Sequence, residues 1–477
     1  MKATSPAQLE QLFWQQKKAF EADRYPKLKE RAKNLRLLIQ LLKENHLALE
    51  AAISADFGQR SATEIRISEV LVSVEGLRHA LKQLRSWMLP QERSSSIWFY
   101  FNRNQVLYQP LGVVGVIVPW NYPLYLALGP LTGALAAGNR VMVKLPEQTP
   151  RFSELLAQLL ARYYSEDQIA CVIGGPDVGA AFASLPFDHL LFTGSTKVGK
   201  MVMSAAAKNL TPLTLELGGK SPALVTSAAD LKKAAQRILN GKLLNAGQTC
   251  VAPDYVLVPT AQREAFLQCL RTAAEEMIPE VEPNPQYTSL ISPAAFERMK
   301  ELYTEAMSLG ASEFRLVRGP IFYEQQRKVA PVVLADVPPE AALLKEEIFG
   351  PLLPVIGYQN LQEAIDYVNA RPRPLALYVF TKKSREAQRV LRSTHSGGAA
   401  INHCLMQIAQ DDLPFGGVGA SGMGRYHGRE GFLSFSHDKS VYHQSALDLM
   451  GPFYPPYGRW THRFIGWILR FGKSLSE

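Results

Sequence analysis

The apolar positions of the first ninety residues follow a helical period. Segments 25–56 and 68–89 place apolar side chains three or four residues apart, which predicts two amphipathic helices. From residue 105 the pattern changes to short apolar runs, GVVGVIVP at 112–119 and RVMVKL at 140–145, with an apolar small-residue helix between them. Strand, helix and strand within about forty residues predict a parallel βαβ unit.

The alternation of strands and helices continues along the chain. Further strands are predicted at IACVIGG, HLLFTGS and LTLELGG, so residues 105–215 indicate a doubly wound α/β sheet. A second α/β series follows, with strands at SPALVT, YVLVPT, LLPVIGY and LALYVFT. The glycine-dense region 410–431 is expected to be loop.

Length and composition narrow the class of protein. A chain of 477 residues with 47% hydrophobic and 20% charged residues predicts a globular protein of more than one domain. The net charge of +9 is spread along the chain, so we expect no nucleic-acid partner. The four cysteines lack disulfide-scaffold or metal-knuckle spacing, so we expect a reducing, cytoplasmic location and no metal. No stretch of about eighteen apolar residues predicts a membrane span.

Two segments at predicted strand ends could bind a nucleotide. TGSTKVGKM at 193–201 is nearly a P-loop, but Met201 stands where a magnesium-binding Ser or Thr is needed, which excludes an NTPase. Amides of the helix start at Gly194 and Ser195 could still hold a pyrophosphate, and a plain tight turn is an equal alternative. Lys144 and Glu147 could bind ribose hydroxyls or be a solvated pair.

Three residues suggest covalent chemistry at a carbonyl. Cys250, in NAGQTC, lies at a turn where local amides could lower its thiol pKa; a buried filler is the alternative, which suits Cys171 and Cys269 better. Glu216 ends an apolar strand, where desolvation would raise its pKa towards that of a general base, unless it is only a charge on a turn. Asn121, in PWNYP, offers an amide donor for an oxyanion or a structural Asx turn.

Seven segments together carry a resemblance to a known family. They are VPWNYPL, KLPEQTP, FTGSTKVGK, LELGGKSP, NAGQTC, EEIFGP and LPFGGVGASGMG. In this order they resemble the motifs of the NAD(P)-dependent aldehyde dehydrogenase superfamily. The N-terminal region, GRYHGREGF and PFYPPYG resemble its class 3 branch and the bacterial coniferyl aldehyde dehydrogenases.

The resemblance implies a fold and a domain organisation. The expected fold is α/β, with a doubly wound parallel-sheet dinucleotide-binding domain, an α/β catalytic domain and a small β oligomerisation arm. The corresponding ranges are 1–80 and 107–213 for the NAD(P)-binding domain, 214–407 for the catalytic domain, 81–106 and 408–440 for the arm, and 441–477 for an amphipathic tail.

The resemblance also implies roles for the candidate residues. Cys250 would form the thiohemiacetal, Glu216 would activate the deacylating water, and Asn121 with the Cys250 amide would form the oxyanion hole. The implied cofactor-binding residues are Lys144, Glu147, Gly194, Ser195, Glu347, Phe349 and Trp120. Glu147 would accept a ribose 2′-hydroxyl and repel a 2′-phosphate, so NAD is the expected cofactor, with NADP tolerated.

Aromatic residues bear on the substrate and the partners. Trp120, Tyr122, Tyr125 and the aromatic tail could line an apolar tunnel, which favours a hydroxycinnamaldehyde such as coniferyl aldehyde. Medium or long fatty aldehydes are the alternative, and a catalytically inactive membrane-associated binding protein is another. The tail, if helical, places Trp460, Phe464, Trp467, Ile468 and Phe471 opposite Arg459, Arg463, Arg470 and Lys473. It could lie in a membrane interface or cover the tunnel of a partner subunit. The resemblance implies a homodimer.

Overall fold

The computed structural model describes residues 3–471, which divide into two compact units. The first unit comprises the described residues through Trp87 together with Pro110–Ser436. The second comprises Met88–Gln109 and the described residues from His437 onward. Each unit has its own β-structure.

The helices and strands are numbered along the chain. The α-helices are α1 (Pro6–Ala22), α2 (Leu28–Phe57), α3 (Ala62–Ile65), α4 (Val72–Met88), α5 (Tyr125–Ala137), α6 (Pro150–Tyr163), α7 (Pro176–Ala183), α8 (Thr196–Ala207), α9 (Leu231–Leu243), α10 (Arg263–Met277), α11 (Pro293–Ser308), α12 (Ala342–Lys345), α13 (Leu361–Asn369), α14 (Ser384–Ser393), α15 (Gly428–Ser434) and α16 (Arg459–Phe471). The strands are β1 (Gln91–Arg93), β2 (Arg103–Pro110), β3 (Val113–Ile117), β4 (Arg140–Lys144), β5 (Ile169–Val172), β6 (His189–Thr193), β7 (Leu213–Glu216), β8 (Pro222–Val225), β9 (Tyr255–Pro259), β10 (Ser312–Arg315), β11 (Phe322–Tyr323), β12 (Lys328–Val329), β13 (Val332–Ala335), β14 (Leu352–Tyr358), β15 (Ala376–Phe380), β16 (Gly398–Ile401), β17 (Gly422–Met423) and β18 (Ser436–His443). A π-helical turn, Arg66–Leu71, joins α3 to α4.

The first unit contains a six-stranded sheet in the order β17-β7-β6-β3-β4-β5. Its strands are parallel, apart from β17, which runs antiparallel to β7. Every residue of β3 is buried, as expected for a parallel strand covered on both faces. Helix α1 contributes Leu9 and Phe13 to the core on this sheet, although the sequence pattern alone did not predict that helix.

The same unit contains a seven-stranded sheet in the order β10-β13-β14-β9-β8-β15-β16. Only β10 is antiparallel, to β13. The strands β13 and β16 were not predicted, and they extend the second α/β series to both sides of the predicted strands. The predicted α/β fold with doubly wound parallel sheets is confirmed.

The second unit holds a three-stranded sheet in the order β1-β2-β18 and the helix α16. Residues 81–87 and 408–436, which the sequence assigned to the arm, belong to the first unit. The functional names of the domains stay predictions. Among residues 3–471, no helix is both long and apolar enough to cross a membrane.

The expectation that 410–431 is loop throughout is wrong. Gly422 and Met423 form β17, which pairs with Glu216 and Leu215, and α15 begins at Gly428. Gly422 has a φ of 142°, and a Cβ there would lie 2.0 Å from the Leu215 carbonyl oxygen. The glycines therefore serve close backbone approach as well as turns.

Candidate functional site

The candidate residues gather at the carboxyl edge of the six-stranded sheet. Trp120 and Asn121 follow β3, Lys144 ends β4, Gly194 and Ser195 follow β6, and Glu216 ends β7. The chain leaves β3 towards β4 on one side and returns to β6 on the other, so β3 and β6 flank the point where the strand order reverses. Ligands of doubly wound sheets bind outside this edge.

The NAGQTC segment forms a sharp turn between α9 and β9. Asn245, Ala246 and Gly247 have φ values of 51°, 52° and 77°, three left-handed residues in succession. A Cβ at Gly247 would lie 2.4 Å from the carbonyl oxygen of Gly350, so only glycine fits there. Such strained backbone persists only where its surroundings hold it, and it is concentrated at functional sites.

Gln248 and Asn121 hold this turn in place. The side chain of Gln248 donates to the carbonyl oxygens of Asn245 (3.0 Å) and Ser289 (3.2 Å) and accepts from the Ile291 amide (2.9 Å). The Asn121 Nδ2 donates to the Gln248 carbonyl oxygen at 3.2 Å. Asn121 is buried, and the Asn245 Nδ2 donates to its carbonyl oxygen at 2.9 Å. Asn121 is therefore tied to the turn that carries Cys250.

Cys250 and Glu216 line one cavity of about 340 Å³. Tyr122 and Tyr125 also line it, whereas Trp120 is not among its described lining residues. Glu216 is 2% exposed, and neither of its carboxylate oxygens has a hydrogen-bond partner within residues 3–471. Burial raises the pKa of Glu216 well above the usual value, as the apolar strand end predicts.

The expectation that local amides lower the thiol pKa of Cys250 is wrong. Burial, followed by the charges of Glu347 and Glu216, raises the thiol pKa to about 12. Backbone hydrogen bonds from the Cys250 and Val251 amides act in the predicted direction but are the smaller effect. The thiol is therefore protonated at neutral pH unless a positive charge enters the site.

The residues expected to bind the adenosine and the phosphates lie at the carboxyl ends of β4 and β6. The Lys144 Nζ forms an ion pair with Glu147, so the two groups expected at the ribose do meet. Ser195 caps α8 by accepting from the Val198 amide at 3.3 Å. The Gly194 amide donates to the Glu216 carbonyl oxygen at 3.0 Å, which joins the predicted phosphate turn to the strand of the predicted base.

Three further residues surround the predicted nicotinamide position. Glu347 is buried enough that its pKa rises to about 8, with the charge of Asp254 as the next cause, and its Oε1 has no described hydrogen-bond partner. A Cβ on Gly218 would lie 2.0 Å from the Glu347 carboxylate, so this carboxylate lies directly on the Gly218 backbone. Phe349 and Trp120 pack edge to face with ring centroids 5.5 Å apart.

Sequence reasoning missed a buried ion-pair network beside the cavity. Arg60 donates to Glu64 (2.9 Å), to Glu69 (2.7 Å) and to the Asn121 carbonyl oxygen (3.1 Å). Glu69 also accepts from the amides of Leu124 and Tyr125, at the start of α5. Because Glu64 lines the cavity, the network connects the cavity wall with Asn121. The sign of this network in the sequence is Glu69, a charged residue within the helical pattern of 68–89.

Two other buried polar groups were also missed. Thr193 lines the cavity, and its Oγ1 lacks a hydrogen-bond partner in the part of the chain described. Lys242, in α9, is buried with no described hydrogen-bond partner for its Nζ, and burial lowers its pKa to about 8. Thr193 begins the segment TGSTKVGKM, but its side chain was assigned no role, and Lys242 lies outside the quoted motifs.

One cavity thus holds a thiol and a desolvated carboxylate at the carboxyl edge of a doubly wound sheet. This arrangement is typical of enzymes that combine covalent carbonyl chemistry with a bound nucleotide. Residues 1–441 match the family model described as the aldehyde dehydrogenase family. The chain belongs to that family and is an oxidoreductase that acts on aldehydes.

Three named relatives resemble almost the whole chain. A probable coniferyl aldehyde dehydrogenase of Pseudomonas aeruginosa is 51% identical over 96% of this chain and 95% of its own length. A coniferyl aldehyde dehydrogenase of Pseudomonas sp. is 44% identical over 90% of each chain. The 4,4′-diaponeurosporen-aldehyde dehydrogenase of Staphylococcus aureus is 36% identical over 94% of this chain and 96% of its own.

Solved structures agree on the fold and on the class of cofactor. The substrate-bound state of Staphylococcus aureus AldH has a TM-score of 0.91 at 35% identity and covers 97% of this chain and 99% of its own. An Escherichia coli NADP-dependent enzyme (TM-score 0.85, 28% identity, 93% and 92% coverage) and an S. aureus betaine aldehyde dehydrogenase in complex with NAD⁺ (0.84, 26%, 95% and 91%) follow. The cofactor is therefore a nicotinamide dinucleotide.

Proposed function

We propose that the protein oxidises a hydroxycinnamaldehyde, such as coniferyl aldehyde, to the carboxylic acid. The observation that supports this substrate class is the cavity of about 340 Å³ that includes Cys250, with Tyr122, Tyr125, Phe415 and Tyr426 on a wall whose other residues are mainly aliphatic. Aromatic walls suit a flat conjugated substrate. Two relatives named as coniferyl aldehyde dehydrogenases, at 51% and 44% identity, support the same class.

In the proposed mechanism Cys250 is the nucleophile. Its Sγ adds to the aldehyde carbon to form a thiohemiacetal, and loss of hydride from that carbon leaves a thioester on Cys250. The Cys250 amide and the second N–H of Asn121 stabilise the oxyanion, because the first N–H of that side chain is already used by Gln248. Glu216 takes a proton from water, which then hydrolyses the thioester.

The residues present fit a nicotinamide dinucleotide. The buried Oε1 of Glu347 lacks a described partner and could accept from a ribose hydroxyl, next to Phe349 and Trp120. The α8 start at Ser195 would hold the pyrophosphate, and the Lys144–Glu147 pair would hold the adenosine ribose. When bound, the oxidised nicotinamide supplies a hydride acceptor whose positive charge favours the Cys250 thiolate.

The preferred cofactor in this proposal is NAD rather than NADP. The Glu147 carboxylate would repel a 2′-phosphate, while its partner Lys144 keeps some positive charge in the same place. We therefore expect kcat/KM with NAD⁺ to exceed that with NADP⁺ without excluding NADP⁺. Steady-state rates with each cofactor at a saturating aldehyde check this, and a preference for NADP⁺ would contradict it.

The substrate proposal predicts a rank order of aldehydes. Purified protein is expected to oxidise coniferyl and cinnamyl aldehydes with kcat/KM at least about tenfold above that for a short aliphatic aldehyde, because the rings fill the apolar cavity. Reduced cofactor formation, followed spectrophotometrically over a panel of aromatic and aliphatic aldehydes, measures this order. A ranking led by straight-chain aldehydes would overturn the aromatic assignment and leave the aldehyde dehydrogenase chemistry intact.

A long apolar aldehyde is the second candidate substrate. The cavity wall includes Ile67, Leu126, Met406 and Ile408, which an aliphatic chain would fill as well as a ring. The S. aureus relative named for a diaponeurosporen aldehyde, at 36% identity, favours this candidate. Medium and long fatty aldehydes belong in the same panel, where the highest kcat/KM decides between the two classes.

The C-terminal tail and the oligomeric state concern the partners of the protein. We infer a homodimer, and a tail that contacts a membrane surface or covers a partner's cavity. In α16, Trp460 and Phe464 stack with ring centroids 4.9 Å apart, while Trp460 and Trp467 remain 56% exposed. Lys473 lies outside the described residues, and the side chain of Phe471 is likewise not described.

A deletion separates the two roles of the tail. If it binds membranes, the full chain floats with anionic liposomes and a chain ending at residue 458 does not, because apolar and basic faces act together in an interface. Equal background flotation of both proteins would contradict membrane contact. Light scattering on the full chain tests the dimer, and a monomeric mass would remove it.

A further inference from the structure

Tyr125 lies between the substrate cavity and a smaller space behind it. It is the first residue of α5 and lines the cavity that contains Cys250. It also lines a second cavity of about 40 Å³, which we call the side chamber, together with Tyr426, His427 and Asp411. Tyr125 and Tyr426, together with Val72, therefore form the partition between the two spaces.

The hydroxyl of Tyr125 is paired with a histidine. Its Oη lies 3.1 Å from the Nε2 of His427, the residue before α15. The imidazole stacks on Phe415 at 4.9 Å and 19°, and the Tyr426 ring meets it edge-on at 4.7 Å. The backbone of Tyr125 is also fixed, because its amide donates to the Glu69 carboxylate at 3.3 Å. Both members of the pair are held in one orientation.

The pair is neutral at physiological pH. Burial lowers the pKa of His427 to about 4 and raises that of the Tyr125 phenol. A neutral imidazole has one ring nitrogen that donates and one that accepts. When His427 donates to Oη, the tyrosine proton is free for a ligand; when Tyr125 donates, the oxygen can accept. The pair can therefore serve a hydroxyl group in either direction.

The surroundings of the Tyr125 hydroxyl allow it to select among ligands. The cavity wall is mostly apolar, with Val72, Leu126, Ile408 and Phe415 among its residues, and Glu64, Thr193 and Thr249 are among its other polar members. A polar group on a mostly apolar wall orients a ligand that carries a matching group. Because His427 already satisfies the Tyr125 hydroxyl, a ligand without such a group leaves no polar atom unpaired and is still accepted.

We propose that the Tyr125–His427 pair is a specificity-determining contact that hydrogen-bonds a hydroxyl group on the ring of the bound aromatic aldehyde. The aldehyde lies at Cys250 and the ring points towards Tyr125. This inference rests on the proposed aromatic substrate and adds that the enzyme distinguishes hydroxylated from unsubstituted rings. The discrimination is about tenfold, the effect of one neutral hydrogen bond.

The test compares 4-hydroxycinnamaldehyde with cinnamaldehyde. In Tyr125→Phe, kcat/KM for the hydroxylated aldehyde is expected to fall about tenfold, while that for cinnamaldehyde stays within about twofold. Tyr426→Phe is the matched control, since it removes a hydroxyl from the same partition, keeps the ring against His427 and leaves the Tyr125–His427 hydrogen bond in place. An unchanged ratio of the two kcat/KM values in Tyr125→Phe overturns the proposal.

Two histidine variants keep the proposal testable if Tyr125→Phe does not fold. His427→Gln places an amide nitrogen near the position of Nε2 and is expected to retain most of the ratio. His427→Asn is too short to hold the Tyr125 hydroxyl in place, so its ratio should fall below that of His427→Gln. Equal ratios in the two variants and the wild type contradict the role of His427. Poor turnover of both cinnamaldehydes by the wild type, with good turnover of straight-chain aldehydes, instead defeats the aromatic assignment itself.

Discussion

Replacing Cys250 with alanine is expected to lower kcat/KM for every aldehyde by at least about 10⁴-fold, because Cys250 carries the only thiol among the described residues that line the cavity. The substitution removes only a sulfur atom, and Cys250 is half-buried, so the thermal unfolding midpoint should change little. Initial rates of reduced-cofactor formation and a thermal melt of the same samples measure both quantities.

Cys269→Ala is the matched control for that experiment. Cys269 lies in α10, away from the cavity-lining residues, and its removal should leave kcat/KM within about twofold. Sustained turnover by Cys250→Ala at more than about a hundredth of the wild-type rate would exclude a covalent route through this sulfur. Equal loss of activity in both variants would point to a general effect of cysteine removal.

The sheets could be predicted because buried parallel strands have continuous apolar sequences. VVGVI in β3 and HLLFT in β6 are buried at every position, and turn residues bound both. β16, with the sequence GAAI, was missed because small residues at an edge give no comparable signal. Likewise α1 was missed, although Ser5 and Gln8 form a capping box at its start.

The site could be predicted only where neighbours along the chain set the environment. Glu216 follows an apolar strand, so its desolvation was evident locally. The thiol pKa of Cys250 depends first on burial and then on the charges of Glu347 and Glu216, which are distant in sequence; these effects outweigh the local amides. The same reason hid the Arg60 network and the contact of Tyr125 with His427, which lies 302 residues further along the chain.

Glu216→Gln is expected to separate acylation of the enzyme from deacylation. Without a base for water, the thioester should accumulate, giving a burst of about one reduced cofactor per active site and then turnover about 10²- to 10⁴-fold slower. The side chain is buried and burial raises its pKa, so glutamine preserves its shape and removes only the oxygen that can take a proton. Rapid-mixing measurement of the burst and mass detection of the acylated protein check this outcome.

The pH dependence supplies the control for this variant. Because the pKa of Glu216 is raised in the folded protein, its ionised, basic form increases as pH rises, so wild-type deacylation should become faster with pH. The fold disfavours that ionised form, so wild-type stability falls as pH rises above the unfolded-state pKa, a loss that Glu216→Gln lacks. The stability of the variant relative to the wild type should therefore increase with rising pH. The slow turnover of the variant should no longer become faster as pH rises. A variant without a burst, or with an unchanged steady-state rate, would assign water activation to another group, with Glu347 the nearest candidate by charge and burial.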